Sequence, residues 1–259
     1  VYKRQNYHLA ISIMSDSDLK QLNFPQTISD SSIKGIILVE ICDKVVCDAL
    51  SQFNLPIVSV DMPNVPFEEL NGIDVVTMES KKNLKKIINQ LIEKGAESFG
   101  FVGDLYSPNV SRGFQERYNA LSECLAEHQL PLNQKNCLLH QTPEDFRNFQ
   151  TTVNNLQAMI SLPDVFICGN DWTAIQLIYA LQFLGFQIPK DICVVGFDNI
   201  PAASRISPSL TTISTPQKYL GIAAARQILE RIQHPNCPHV FCQYETELII
   251  RNSTNITSF

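Results

Sequence analysis

Two polar pairs follow apolar runs of strand length, and their side chains are of the kind that holds a small solute by hydrogen bonds. Asn170 and Asp171 come after the run VFIC, and Asp198 and Asn199 come after the run CVVGF. Ligands of open parallel sheets bind beyond the carboxyl ends of the strands. If these runs are neighbouring parallel strands, the sequence predicts a polar rim at one sheet edge, where a small ligand binds.

The elements that would position this rim alternate between strands and helices along most of the chain. Strands that are apolar throughout are typical of parallel sheets covered by helices on both faces. The sequence therefore predicts an α/β fold with two doubly wound parallel sheets. We predict strands at 8–14, 35–40, 56–61, 74–78, 98–103, 137–140, 165–168, 193–197 and 246–251. We predict helices at 43–53, 81–94, 116–128, 146–162, 171–184 and 217–232.

The composition indicates a globular protein, and the net charge argues against binding to nucleic acid by this chain alone. The chain has 259 residues, of which 44% are hydrophobic and 18% charged, as in a globular domain. The net charge of −6 argues against this chain binding a phosphate backbone by itself. Its eight cysteines form no CxxC pair, and no secretory signal is visible, so we expect a cytoplasmic protein.

The ordered motifs of the chain resemble the effector-binding domain of LacI/GalR-family bacterial transcriptional regulators. The matching runs include GND at 169–171, GFDN at 196–199 and LTTI at 210–213, and further matches extend over nearly the whole chain from Asn6. Departures are Ala120, where the family often has glycine, and the run MES at 78–80. The resemblance implies two lobes of the periplasmic-binding-protein-like type I fold, with a ligand cleft between them.

The resemblance also implies that Asp198, Asn170 and Arg117 bind the ligand. Arginine and carboxylate groups can each engage two neighbouring hydroxyls of a sugar, and an amide supplies both a donor and an acceptor. Asp198 and Asn170 have the alternative of capping local turns, and Arg117 that of a solvated helix face. We assign Asp171 to the N-cap of the next helix rather than to the ligand.

Five aromatic or polar residues have two open interpretations each. Trp172 either stacks on the apolar face of a sugar or packs in the protein. Glu79, with Ser80, either lines the cleft from the first lobe or lies in a surface turn. Phe114 and Phe146 are walls of the cleft or core residues.

The sequence carries no pattern that indicates catalysis or a cofactor. The motifs GxSxG, GxGxxG, HExxH and the Walker loop are absent, so we expect a protein that is not an enzyme and needs no cofactor. The loop HPNCPHVFC contains His234, Cys237, His239 and Cys242. Its spacing lacks two paired ligand turns, so we expect no metal site there.

The resemblance divides the chain into lobes. We expect an N-terminal lobe at 6–96 plus 210–236 and a C-terminal lobe at 97–209 plus 237–255. Residues 1–5, VYKRQ, match a transposon-end adapter translated in frame, so we expect a non-native leader there. The first strand and helix of the N-terminal lobe, and the helix-turn-helix head, are expected before Asn6 and so absent from this chain.

The function that follows is effector binding and dimerisation in a LacI/GalR-type regulator. The expected effector is a sugar or a related small metabolite that binds between the lobes and controls operator affinity. The expected partners are a second copy, as a homodimer or tetramer, and operator DNA through the N-terminal head only, with no membrane. The alternative is an exported sugar-binding protein of a transporter, which uses the same kind of cleft.

Overall fold

The computed structural model describes residues 7–105, 111–140 and 148–256, and it contains two sheets. The first sheet is parallel throughout, with the strands in the order β1 (Ile36–Val39), β2 (Ile57–Val60), β3 (Ile73–Met78) and β9 (Phe241–Tyr244). The second sheet has the order β10 (Glu247–Ile249), β8 (Thr211–Ser214), β7 (Cys193–Asp198), β6 (Val165–Cys168), β4 (Phe99–Asp104) and β5 (Leu138–His140). Only β10 runs antiparallel to its neighbour among these described strands.

Helices cover both faces of each sheet, which confirms the predicted doubly wound α/β class. On the first sheet, α2 (Lys44–Ser51) packs on one face and α7 (Gln217–Gln233) on the other. On the second sheet, α3 (Lys82–Glu93) and α4 (Arg112–Glu127) cover one face. The opposite face is covered by α5 (Phe149–Ala158) and α6 (Asp171–Phe183). Strand β6, with the sequence VFIC, is apolar throughout because both of its faces lie inside such layers.

The predicted strand at 8–14 is wrong. These residues form no regular element, and the side chains of Ile11 and Ile13 are 81% and 94% exposed. A strand requires a hydrogen-bonded neighbour. Within the described part of the chain, no strand lies along the outer edge of β1, so the segment has nothing to pair with. The short helix α1 (Asp16–Gln21), which we did not predict, follows it with a capping box at Ser15.

The residue ranges that we predicted for the two lobes also differ from the ranges that belong to the two sheets. Helix α3 packs on the second sheet, because Leu84 and Leu91 share a core cluster with Phe99. Strand β8 belongs to the second sheet, where Thr211 pairs with Val195, so the chain leaves that sheet after β8 rather than at 210. Strand β9 was missed, since its burial alternates along FCQY in the manner of an edge strand. Helix α7 returns to the first sheet and β10 to the second, as predicted.

A buried ion pair between Asp74 and Arg231 connects α7 and the start of β9 to the first sheet. Asp74, fully buried in β3, accepts hydrogen bonds from Arg231 Nε at 3.0 Å and Arg231 Nη2 at 2.8 Å. Gln227 and the backbone N–H of Val240 donate to the same carboxylate. Burial raises the pKa of Asp74, but the bonds from Arg231 and Gln227 outweigh it and leave that pKa below its ordinary value. Every charged group here is therefore compensated.

The loop considered for metal binding is organised by the same arginine. Arg231 donates to the backbone carbonyls of Pro235, Cys237 and Pro238, and His239 Nδ1 lies 3.3 Å from the Asp74 carboxylate. Among the described residues, no group of three or more metal-ligating side chains occurs. No described helix is both long and apolar enough to cross a bilayer.

Replacing Arg231 by methionine should destabilise the protein by about 3–5 kcal/mol, because Asp74 would remain buried without its charged partner. The free energy of unfolding in urea measures this loss. Arg226→Met, on the exposed face of the same helix, is the matched control and should cost less than about 0.5 kcal/mol. Equal midpoints for the two variants would contradict the role of the buried pair.

Candidate ligand-binding site

Asp198 lies at the carboxyl end of β7 and carries a carboxylate to which no described residue donates a hydrogen bond. The residue has φ 111° and the next, Asn199, has φ 54°, a conformation that is unfavourable without glycine. Among the described residues, none forms a hydrogen bond or ion pair with the half-buried Asp198 carboxylate. Strained backbone and an unpaired carboxylate are typical of a site that awaits a ligand.

The charges around Asp198 come from both lobes. Burial is the main cause that raises the pKa of Asp198 to about 7, and attraction to Arg117 opposes it. Asp171, Glu40 and Asp61 raise the pKa further by repulsion. Since Glu40 and Asp61 follow strands of the first sheet, the carboxyl ends of both sheets face one another here.

Arg117 is a buried cation of this site rather than part of a solvated helix face. Its side chain is only 3% exposed, and Nη1 donates to the carbonyl of Gly169 at 2.7 Å. The guanidinium carbon lies 3.6 Å from the ring centroid of Phe197 and 5.3 Å from that of Phe114. Its buried Nε has no hydrogen-bond partner among the described residues. Burial lowers the pKa of Arg117, and the charges of Asp198 and Asp61 oppose that effect.

Asn170, not Asp171, is the N-cap of α6, so the predicted cap was wrong by one residue. The Asn170 Oδ1 accepts a hydrogen bond from the backbone N–H of Thr173 at 2.9 Å. Asn170 Nδ2 has no partner among the described residues and remains available at the end of β6. Asn170 therefore serves the helix with its oxygen, and its amide nitrogen is free to donate to a ligand.

Asp171 is fully buried and fixes the loop that carries the strained residues. It accepts a hydrogen bond from Thr212 Oγ1 at 2.6 Å and from the backbone N–H of Ile200 at 2.9 Å. Burial raises its pKa to about 6, against the effect of these hydrogen bonds. A Cβ on Gly196 would lie 2.2 Å from Asp171 Oδ1, so glycine is required beside the carboxylate. Asp171 thus holds the chain after Asp198 in place.

Two further predicted site residues are an exposed aromatic ring and a carboxylate that caps a helix. Trp172 is 60% exposed on the outer face of α6, which excludes packing in the core. Glu79 accepts hydrogen bonds from the backbone N–H groups of Lys81 and Lys82 at 2.7 and 2.8 Å, and so caps the first turn of α3. Of the two interpretations of Glu79, a cleft residue or part of a surface turn, these hydrogen bonds correspond to the turn. Phe146 lies outside the described residues.

The first lobe contributes two carboxylates that we did not predict. Glu40 follows β1 with φ 59°, and Asp61 follows β2 with φ 69°. The pattern that led to Asp198, an apolar strand that ends in a carboxylate, occurs at both positions, in GIILVE and IVSVD. Applying the strand-end rule to every strand would therefore have found them.

Direct contacts tie the two lobes together beside these carboxylates. Ser111, the N-cap of α4, donates from Oγ to Asp61 Oδ2 at 2.8 Å. The backbone N–H of Arg112 donates to the carbonyl of Met62 at 3.1 Å, and Pro63 forms a bridge with Ser111. Two surface grooves, of about 450 and 490 Å³, lie away from this region and bring no charged cluster together.

Comparison with known proteins identifies the family to which this chain is similar. Residues 88–254, well over half of the chain, match the family described as periplasmic binding protein-like domain. The ribose operon repressor of Haemophilus influenzae is 27% identical over 97% of this chain and 74% of its own length. Catabolite control protein A of Staphylococcus xylosus is 28% identical over 90% of this chain and 70% of its own length.

A solved structure supports the same fold. The LacI family transcriptional regulator of Enterococcus faecium, with bound ribose, has a TM-score of 0.75 and 22% identity, over 98% of this chain and 89% of its own. The chain belongs to the periplasmic-binding-protein-like domain family, and it is the effector-binding domain of a LacI/GalR-type transcriptional regulator.

Proposed function

We propose that the cleft binds a polyhydroxylated metabolite, a sugar or a close relative, and that this binding controls the affinity of the regulator for operator DNA. The observation that carries the proposal is the unpaired carboxylate of Asp198 beside the buried guanidinium of Arg117. Sugar hydroxyls donate to a carboxylate and accept from a guanidinium, so one ligand can satisfy both groups. The names of the ribose operon repressor and of the ribose-bound regulator support this ligand class.

The proposed mechanism is a shift between arrangements of the two lobes. A ligand held by Asp198 on one side and by first-lobe groups on the other favours the arrangement in which both sides contact it. The contacts of Ser111 and Arg112 across the cleft supply the protein part of that arrangement. A coupling free energy of about 1–3 kcal/mol would change operator affinity by roughly 5- to 150-fold. In this mechanism the ligand is bound and released without chemical change.

The proposed setting is the bacterial cytoplasm, where transcriptional regulators meet DNA. All eight cysteines are free thiols, and burial is the main cause that raises the pKa of six of them, at positions 42, 47, 124, 137, 168 and 193. Buried thiols behave as small hydrophobic groups and suit a reducing compartment. DNA binding is proposed for a helix-turn-helix head outside this chain.

We propose that two copies meet through the outer face of α6. Trp172, Tyr179 and Phe183 recur at intervals of seven and four residues, so they form one exposed stripe along the helix. Phe149 of α5 packs its ring edge against Phe183 and extends the stripe. Exposed aromatic side chains of this kind are enriched at protein interfaces. This face supports a homodimer, or a tetramer built from such dimers.

Asp198→Asn should abolish effector-induced stabilisation. The carboxylate accepts hydroxyl hydrogen bonds with two oxygens, whereas the amide has one oxygen and replaces the other with a donor. A thermal-shift screen of pentoses and hexoses measures this: at least one sugar should raise the melting temperature of the wild type, and the same sugar should leave the variant unchanged. Asp48→Asn, which removes a carboxylate from an exposed ion pair with Lys44, is the matched control and should respond as the wild type does. A full response by folded Asp198→Asn would remove this residue from the site.

The apo protein should also show an unusual pH dependence at Asp198. Its folded pKa of about 7 lies above the ordinary aspartate value of about 4, so its contribution is fully present below about pH 4 and is lost as the pH rises through 7. Relative to Asp198→Asn, the wild type should therefore lose melting temperature between about pH 4 and 7. Asp171 is present in both proteins, so the difference between their two curves of melting temperature against pH reports the effect of Asp198. Parallel pH curves would show that the carboxylate is not destabilised.

Phe183→Asp should convert the dimer into a monomer, because it places a charge in the apolar stripe. Sedimentation velocity measures the change, and Trp172 emission in the wild type should shift to longer wavelength on dilution as the ring becomes wetted. Phe149 and Tyr179 remain in the variant, so a folded protein is expected by circular dichroism. An unchanged sedimentation coefficient would place the interface elsewhere.

A further inference from the structure

The position of the Asp198 carboxylate is set by the backbone that carries it. Among the described residues, none forms a hydrogen bond or ion pair with that carboxylate, so no side-chain contact orients it. The backbone turns sharply there, with φ 111° at Asp198 and φ 54° at Asn199. Residues other than glycine rarely adopt such values, and they persist only where the surrounding structure enforces them. The groups that hold this turn therefore decide where the carboxylate lies.

Neutral hydroxyl groups of β8 and of the residue after it restrain the turn. The backbone N–H of Asn199 donates to Thr212 Oγ1 at 3.4 Å, and Asn199 Nδ2 donates to Ser214 Oγ at 3.1 Å. Thr215 Oγ1 donates to the carbonyl of Asp198 at 3.4 Å. The two bonds of 3.4 Å exceed the usual upper limit of about 3.2 Å, so they restrain the turn weakly.

Arg251, which lies two residues after β10, makes a short and charged contact with this turn. Its Nη2 donates to Asn199 Oδ1 at 2.7 Å, and its Nη1 donates to the carbonyl of Leu210 at 2.7 Å. Asn199 begins the loop that joins β7 to β8, and Leu210 ends it. The planar guanidinium thus binds both ends of one loop, through hydrogen bonds that are stronger than neutral ones because the donor is charged.

The backbone of Arg251 is itself anchored on the second sheet. Its N–H donates to Thr211 Oγ1 at 2.9 Å, and its carbonyl accepts from the same hydroxyl at 3.1 Å. Two residues later, the buried Ser253 donates from Oγ to the carbonyl of Val194 at 2.6 Å and accepts from the N–H of Thr211 at 2.8 Å. The segment that carries the guanidinium is therefore fixed to β7 and β8, and the loop is attached to it.

Arg251 also acts on a second support of the same loop. Asp171 accepts a hydrogen bond from the backbone N–H of Ile200, the residue after Asn199, at 2.9 Å. Burial raises the pKa of Asp171 to about 6, and the charge of Arg251 is among the causes that oppose this rise. Because an ionised carboxylate is the stronger acceptor, the positive charge favours the bond that holds Ile200.

We propose that Arg251 is a positioning residue for effector binding, which holds Asn199 so that the Asp198 carboxylate lies where the effector contacts it. This inference rests on the proposed function of the cleft. Arg251 acts through Asn199 rather than by contact with the effector, because both of its terminal nitrogens donate to protein acceptors. Without Arg251, the turn keeps only its weaker restraints and relaxes toward more favourable backbone angles, which displaces the carboxylate.

The test is isothermal titration of the chain with D-ribose, D-xylose, D-glucose and D-galactose. At least one of these sugars should bind the wild type, and Arg251→Met should weaken that binding about tenfold, as one hydrogen bond from a charged group supplies roughly that factor. Arg251→Lys keeps the charge but has one nitrogen for two acceptors, so its affinity should lie between those of the wild type and Arg251→Met. Arg226→Met, on the exposed face of α7, is the matched control and should bind as the wild type does.

A double-mutant cycle separates positioning from a purely structural role. Asn199→Ala removes the same hydrogen bond from its acceptor side and should also weaken sugar binding about tenfold. The double variant should bind no more weakly than the weaker single variant, because both changes act through one contact. Urea unfolding identifies the temperature at which every variant is folded. A residue that only stabilises the fold lowers the unfolding midpoint and leaves the dissociation constant of the folded protein unchanged.

The outcomes separate the two proposals. A wild-type dissociation constant in folded Arg251→Met or Asn199→Ala overturns the inference, and so do additive losses in the double variant. Asp198-dependent binding of a sugar by the wild type would then still support the proposed function. If Arg251→Met does not fold, Arg251→Lys and Asn199→Ala decide by the same criterion. Failure of the wild type to bind any of the four sugars counts against both proposals.

Discussion

The site depends on one electrostatic constraint, which is that the half-buried carboxylates of Asp198 and Asp61 and the buried carboxylate of Asp171 share the field of the buried Arg117 guanidinium. Asp198 lies between Arg117 on its own lobe and the carboxylates of the opposite lobe, and burial raises its pKa to about 7. Such an arrangement is costly in the apo protein, because the Asp198 carboxylate is desolvated and no described residue forms a hydrogen bond with it. The strained backbone at Asp198, Glu40 and Asp61 adds to that cost. A protein retains this kind of cost where a ligand offsets it.

A comparison of the buried carboxylates separates structure from function. Asp74 is fully buried, yet Arg231, Gln227 and a backbone N–H group satisfy it, and its pKa lies below the ordinary value. Asp171 is satisfied by Thr212 and the N–H of Ile200 and anchors the loop beside the site. Asp198 alone of these three lacks partners among the described residues. Burial by itself therefore does not identify a functional carboxylate, whereas burial without compensation does.

The two lobes contribute unequally and are coupled through few groups. The second lobe supplies the buried cation, the unpaired carboxylate and the amide of Asn170. The first lobe supplies Glu40 and Asp61, and Asp61 also accepts the bond from Ser111 that joins the lobes. A ligand that engages Asp61 therefore acts on the same group that sets the spacing of the lobes. The proposed mechanism links ligand occupancy and lobe arrangement through that shared carboxylate.

Local sequence pattern determined most of the elements, because apolar runs and helical spacing are properties of a few consecutive residues. It also determined that Asp198 and Asn170 lie at a sheet edge, and motif resemblance added Arg117. Only the tertiary structure decided which sheet receives α3, β8 and β9, and it left 8–14 without a neighbour to pair with. It likewise decided that Asn170 caps the helix while Asp171 is buried, and that Glu40 and Asp61 face Asp198. Strand pairing and charge proximity depend on residues far apart in the chain, so no local pattern contains them.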